Sequence, residues 1–144
     1  MFLWRISNYT DLTGQGGMRY SARWHTKGRA VIYAAESPAG ALNEMLVHFD
    51  QKYVPKTFSL LKILVPAEIY AITSKLPRKA WQNDTSITRS IGDNWLSKQT
   101  SVLLRVPSII TPETFNMLIN PAHPEAAKIK IQKIYEVPFD QRLK

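Results

Sequence analysis

A chain of 144 residues with 44% hydrophobic and 21% charged side chains has the size of one globular domain, so one hydrophobic core spanning residues 1–144 is expected. With no cysteine, a disulfide framework, a thiolate zinc site and a cysteine nucleophile are excluded, and a reducing compartment suits the chain. Nineteen Lys and Arg against eleven Asp and Glu give a net charge of +8, which favours a small anionic ligand or an acidic partner; the basic residues are dispersed, unlike the block or helical stripe of a nucleic-acid arm.

The first strand is predicted at Phe2–Ile6. Arg5 interrupts the apolar start, so no secretory signal is expected. The Gly-containing stretch 8–17 has no apolar period and reads as a loop; Gly14-Gln15-Gly16-Gly17 lacks the GxGxxG spacing of a dinucleotide fold. Residues 29–35 read as a second strand. Ser37-Pro38 reads as N-cap and first helical residue, opening a helix over 38–50 whose Leu42, Met45, Leu46 and Phe49 recur at helical spacing, with Glu44 near the edge of that stripe. Strands follow at 57–65 and 69–73, separated by Pro66. Asp84 caps a helix running to Lys98 with Ile87, Ile91, Trp95 and Leu96 as its apolar side, although Gly92 weakens it. Residues 101–106 and 128–139 complete the strands. The apolar stretch 58–66 is far shorter than the roughly 20 residues that cross a bilayer, so a cytoplasmic chain without membrane contact is expected. Strands that outnumber helices without alternating with them predict an α+β fold and argue against a doubly wound parallel sheet.

Chemistry concentrates in four segments. Arg23-Trp24 supplies a guanidinium beside an aromatic ring. Tyr33-Ala34-Ala35-Glu36-Ser37-Pro38 runs from a strand end into the helix that carries Glu44, and Val106-Pro107-Ser108 and Asn120-Pro121-Ala122-His123-Pro124 lie further on. An Arg fork fits a pyrophosphate, an aromatic stacks on a planar base, and a carboxylate stabilises positive charge developing on a ribose during glycosidic cleavage. The set suits a dinucleotide. His25, His48 and His123 form no HxH or HExxH pair, and no metal site is expected.

In this order, Arg-Trp, Tyr-x-Ala-Glu-Ser-Pro-x-x-Ala-Leu-x-Glu, Val-Pro-Ser and Asn-Pro-x-His-Pro resemble the RES domain of toxins from type II toxin–antitoxin systems, over nearly the whole chain. Two departures stand out: Tyr20-Ser21-Ala22 precedes Arg23-Trp24 where the family often has two glycines, and His25 stands where it often has Asn. The resemblance implies an ADP-ribosyltransferase-like fold of mixed or antiparallel sheet with flanking helices, and cleavage of NAD+ at its nicotinamide–ribose bond. It also implies growth arrest by NAD+ depletion and a helix-turn-helix (Xre-type) antitoxin as partner, with nucleic acid met only through that antitoxin. Carried over residue by residue, it implies Arg23, Tyr33, Glu44 and Ser108 as catalytic, and Arg5, Arg23, Tyr33, Asn120 and His123 as NAD+-binding. NAD+ is then a substrate, and no cofactor is implied.

Each of these residues also has a plainer reading. Arg23 can be a surface ion-pair residue, Tyr33 a core aromatic, Glu44 a solvated helix residue and Ser108 a turn residue. Arg5 can be structural, and Asn120 and His123 read first as turn and helix-start residues. Two other functions stand beside NAD+ degradation: transfer of ADP-ribose to a protein, and a basic RNA-acting toxin, which predicts a steep salt dependence of binding.

Overall fold

The apolar runs of the sequence become strands β1 (Phe2–Ile6), β2 (Ile32–Ala35), β3 (Thr57–Leu64), β4 (Ala71–Thr73), β5 (Leu103–Pro107), β6 (Phe115–Ile119) and β7 (Lys130–Pro138) in a computed structural model that describes residues 1–48, 51–77 and 81–143. They form a 7-stranded sheet in the order β4-β5-β6-β2-β1-β3-β7. Every neighbouring pair is antiparallel except β4 with β5. Helices α1 (Gln15–Arg19), α2 (Pro38–Leu46) and α3 (Thr85–Lys98) lie outside the sheet. The expected α+β class is the class observed.

Strand alternation sorts the interior into two clusters. Ile32, Ala34, Met117, Ile119 and Leu103 belong to one, joined by Leu3, Leu61 and Ile63, with Leu12 packed against its edge. Val31, Leu104, Val106 and Leu118 point the other way and meet Trp24, Trp95 and Leu96. Because α3 supplies Trp95 and Leu96, that helix closes the second cluster.

The helix starts follow the sequence. The Ser37 hydroxyl accepts from the Gly40 N–H at 2.9 Å with Pro38 in the first turn, and the Asp84 carboxylate accepts from the Ser86 N–H at 2.9 Å. The second strand is shorter than expected, beginning at Ile32 instead of residue 29. Residues 15–19, read as loop, form the short helix α1. Strand β6 was not foreseen, because its five residues lie between proline-rich stretches with no turn signal of their own.

The two longer helices bury only part of the apolar sides expected, Trp95 and Leu96 of α3 among them. In α2 only Ala41 is buried, while Leu42, Met45 and Leu46 stay half-buried; Phe49 and Asp50 of the expected helix lie outside the described residues. The small residues approach the sheet instead, a Cβ added at Gly40 falling 3.4 Å from that of Ala35. In α3 the fully buried line is Thr88, Gly92, Trp95 and Leu96, with Ile87 and Ile91 at its margin. The chain at Trp24 crosses directly over Gly92, where a Cβ would fall 1.6 Å from the Trp24 carbonyl oxygen. The glycine that weakened the helix on propensity is what lets the Arg23 segment sit on it.

Candidate active site

Arg23 and Trp24 occupy a tight turn closed by an antiparallel bridge between Ala22 and His25. Helix α3 holds that turn. Thr88 Oγ1 donates to the Arg23 carbonyl, Arg89 Nε donates to the Ala22 carbonyl at 2.8 Å, and Asp93 accepts from the Thr26 N–H at 2.9 Å and the Thr26 hydroxyl at 2.6 Å. The Arg23 guanidinium emerges half-buried and donates to the Gln82 carbonyl at 3.1 Å, leaving most of its donors free for a ligand.

Behind the turn, His25 is 2% exposed. Its Nε2 faces the carbonyls of Tyr20 at 2.8 Å and Gly17 at 3.2 Å. Carbonyls only accept, so Nε2 carries the proton; burial lowers the pKa of the ring against the opposing pull of those carbonyls, so the ring is neutral and Nδ1 is an acceptor. The Tyr33 hydroxyl, 2.8 Å from Nδ1, therefore donates to it, and accepts from the Trp24 N–H at 3.1 Å. Burial pushes the Tyr33 phenol well above its usual range, so it stays protonated. With its hydroxyl committed inward, Tyr33 packs its ring against the second core cluster, 5.6 Å from the His25 ring centroid.

Glu44 projects from α2 toward the ends of β5 and β6. Its Oε1 accepts from the Ser108 hydroxyl at 2.9 Å and from Asn116 Nδ2 at 2.8 Å. Ser108, 8% exposed, is fixed in turn: its N–H donates to the Thr114 carbonyl at 2.8 Å and its Oγ accepts from the Ile110 N–H at 3.1 Å. The ion pairs among the described residues join Arg29 to Asp93, Arg105 to Glu36, Lys128 to Glu125 and Arg142 to Asp140, so Glu44 is held by neutral donors. Ser108 also lines a cleft of ≈ 270 Å³ with Trp81, Gln82, Pro107 and Phe115. Gln82, which binds Arg23, stands in the same cleft, and Trp81 contacts Trp24 with ring centroids 6.1 Å apart. Arg23 and Glu44 are thus linked to this cleft through lining residues, Arg23 by its bond to Gln82 and Glu44 by its bond to Ser108.

The remaining candidates sit elsewhere. Arg5 donates to the Tyr33 carbonyl at 3.0 Å and to Ser7 Oγ at 3.3 Å, where β1 and β2 pair only at Trp4 and Ala35 and the strands then part. Burial lowers its pKa, with Asp11 pulling the other way. Asn120, 1% exposed, accepts from the Ala122 N–H at 3.1 Å and donates to the Leu96 carbonyl at 3.3 Å. His123 Nδ1 accepts from the Glu125 N–H at 3.0 Å and so caps a 3-10 turn. Both lie past the far end of β6, Asn120 being four residues beyond Asn116, or roughly 13 Å along an extended strand. The structure thus brings Glu44 and Ser108 into contact, ties Arg23 to their cleft and Arg5 to Tyr33, and leaves Asn120 and His123 in turn and cap positions. Asn116 was missed; the signal for it is one polar residue inside the apolar run Phe115–Ile119. Among the described residues no group of three or more His, Asp or Glu side chains is placed to hold a metal ion, and no helix is long and apolar enough to cross a membrane.

The family model for the RES domain matches residues 2–140. The chain is 46% identical over 145 residues to "Toxin Res" of Pseudomonas putida, covering 99% of both chains. It is 37% identical to the "Prs ADP-ribosylating toxin" of a Sphingobium species, covering 97% of this chain and 94% of that one. Among solved structures it superposes on the M. tuberculosis MbcT-MbcA toxin-antitoxin complex with a TM-score of 0.71, covering 95% of this chain and 84% of the other, at 13% identity, which shows a shared fold. The chain belongs to the RES domain family and, within it, to the Res toxins.

Proposed function

We infer that the chain cleaves NAD+ at the nicotinamide–ribose bond and acts as the toxin of a toxin–antitoxin pair. The observation that carries this is the Glu44 carboxylate, bound by two neutral donors and by no cation among the described residues, one of them Ser108 in a cleft whose Gln82 binds Arg23. Neutral donors hold an anion in place without cancelling its charge, which leaves it free to stabilise an oxocarbenium-like ribose as nicotinamide departs. Arg23 takes the pyrophosphate with its free donors. The Tyr33 ring packs on the nicotinamide end, and Ser108 orients the carboxylate. Arg5 supports Tyr33 from the backbone side, and Asn120 and His123 contribute through the loop they shape. The reaction draws its stabilisation from Glu44, so it invokes no metal or bound cofactor.

The acceptor is water or phosphate. Transfer of ADP-ribose to a protein is the second reading, favoured by the name of the Sphingobium relative. Purified protein incubated with NAD+, with and without phosphate, should release nicotinamide together with ADP-ribose or its phosphorylated form. A mass increase on an added protein would instead mark the transferase. Glu44→Gln keeps the shape and removes the charge, so it should fold normally and lose on the order of 10²–10³-fold in turnover. Absence of nicotinamide release from folded wild-type protein would sink the reading.

A further inference from the structure

Two donors converge on one oxygen of Glu44, and only one of them, Ser108, belongs to the set that gives the family its name. The other comes from β6, where Asn116 pairs in register with Ala35 of β2 and Val106 of β5. With partners on both sides, the backbone beneath Asn116 is fixed by two ladders. Its side chain lies on the same sheet face as Tyr33 and Leu118 because strand residues two apart share a face. A carboxylate only accepts, so the group 2.8 Å from Oε1 is the amide nitrogen of Asn116, and the amide orientation is settled by its partner. Ser108 reaches the same oxygen from the turn after β5. Among the described residues Oε2 accepts no hydrogen bond, so the carboxylate is pinned at one oxygen and open at the other.

We propose that Asn116 is a positioning residue for Glu44: through Nδ2 it holds the carboxylate turned so that its free oxygen faces the ribose. This rests on the NAD+-cleaving reading above. A hydroxyl alone is a rotor that can accept or donate and lets the carboxylate swing about it. A second donor from a rigid central strand removes that freedom, and both bonds strengthen when the acceptor is charged. Glu44 then keeps the same geometry before and after nicotinamide leaves, which is the condition for electrostatic stabilisation without reorganisation.

The ionisable side chains on the elements around Glu44 are His48 just after α2, Arg5 on β1, Glu36 after β2, Lys62 on β3, Arg105 on β5 and Glu113 in the β5–β6 loop. Asn116 substitutions leave all of them in place. Two variants separate positioning from mere packing. Asn116→Leu keeps most of the volume and removes the donor. Asn116→Asp keeps the shape but sets a second carboxylate against the first, and such a pair shares one proton.

The experiment follows the Glu44 carboxyl ¹³C resonance at one fixed neutral pH alongside the pH profile of NAD+ cleavage, in variants whose circular dichroism and melting match the wild type. In Asn116→Leu the resonance should move as the Nδ2 bond is lost, and kcat should fall about tenfold while KM stays within about twofold. Asn116→Asp should be poor at neutral pH and recover toward acid pH, where one proton restores a donor to Glu44; loss of acidic recovery would argue against the shared oxygen. An unchanged Glu44 carboxyl resonance in folded Asn116→Leu overturns the proposal, as does a rise in KM with kcat untouched. If wild type releases no nicotinamide, the NAD+ reading fails by itself, and the carboxyl resonance still decides whether Asn116 holds Glu44.

Discussion

His25 is 2% exposed, and the direction of its link to Tyr33 has a consequence for stability. The ring is neutral in the fold because burial lowers its pKa below the ordinary 6.5. In the unfolded chain it titrates at the ordinary value, so the stabilisation is complete above about pH 6.5 and is lost progressively as pH falls toward the depressed folded value, the unfolded state binding the proton first. Protonation would also give Nδ1 a hydrogen that faces the Tyr33 hydroxyl, forcing that hydroxyl to reverse. Wild-type protein should therefore lose stability between pH 7 and 5 more steeply than His25→Gln, by at most about 1.4 kcal/mol per pH unit for one proton. Parallel melting curves for the two proteins across that range would show that His25 does not titrate with unfolding. The sequence marked His25 only as a departure from the usual Asn after Trp24; its function as acceptor for Tyr33 depends on carbonyls of α1 and the residue after it, a helix that the sequence did not reveal.

At the scale of elements, α3 is the platform of the site. It carries none of the candidate site residues, yet Thr88, Arg89 and Asp93 all hold the turn that presents Arg23. Gly92→Ala should displace that turn, since the new Cβ meets Trp24 backbone at 1.6 and 2.8 Å and backbone cannot swing aside. The expected loss is about 1–3 kcal/mol or more, with NAD+ turnover falling further than stability alone accounts for. Gly16→Ala is the control, its nearest neighbour being a Tyr9 ring atom at 3.8 Å. A Gly92→Ala protein that melts with the wild type would show that the turn can lift off the helix. The same helix explains what was legible beforehand. Asp84, Ser37 and Pro38 announce helix starts through local hydrogen bonding, and those starts were read correctly. Which side of α3 is buried depends on a turn some sixty residues earlier in the chain, so Ile87 and Ile91 looked like the core face while Thr88 and Gly92 were. Strand β6 escaped for a related reason: its five residues gain their place from β2 and β5, and with it went Asn116. Glu44 and Ser108 were legible as motif residues, but that they share a hydrogen bond is a property of the sheet.

Over the whole molecule, the +8 charge and the anion-binding chemistry belong together. On the proposed reading NAD+ carries a pyrophosphate whose concentration a positive field would raise at the cleft, and the same field would draw in an acidic protein segment. The fold is shared with a toxin held in complex with its antitoxin, and a protein that consumes NAD+ requires such a neighbour to be tolerated by its own cell. The partner expected here is a helix-turn-helix antitoxin whose terminal segment covers the cleft mouth near Arg23 and Arg5. Charge acts mainly on encounter, so association should slow as salt rises while dissociation changes little, as measured by surface plasmon resonance between 50 and 500 mM salt, on the order of the range over which the Debye length contracts. An RNA-acting protein would instead be retained on RNA, with affinity falling steeply and linearly in log salt. Expression of the chain alone is the sharpest test: growth should stop as cellular NAD+ falls, and co-expression of the antitoxin should restore both. Unimpaired growth with unchanged NAD+, in cells containing soluble folded chain, would remove the toxin reading and with it the need for an antitoxin.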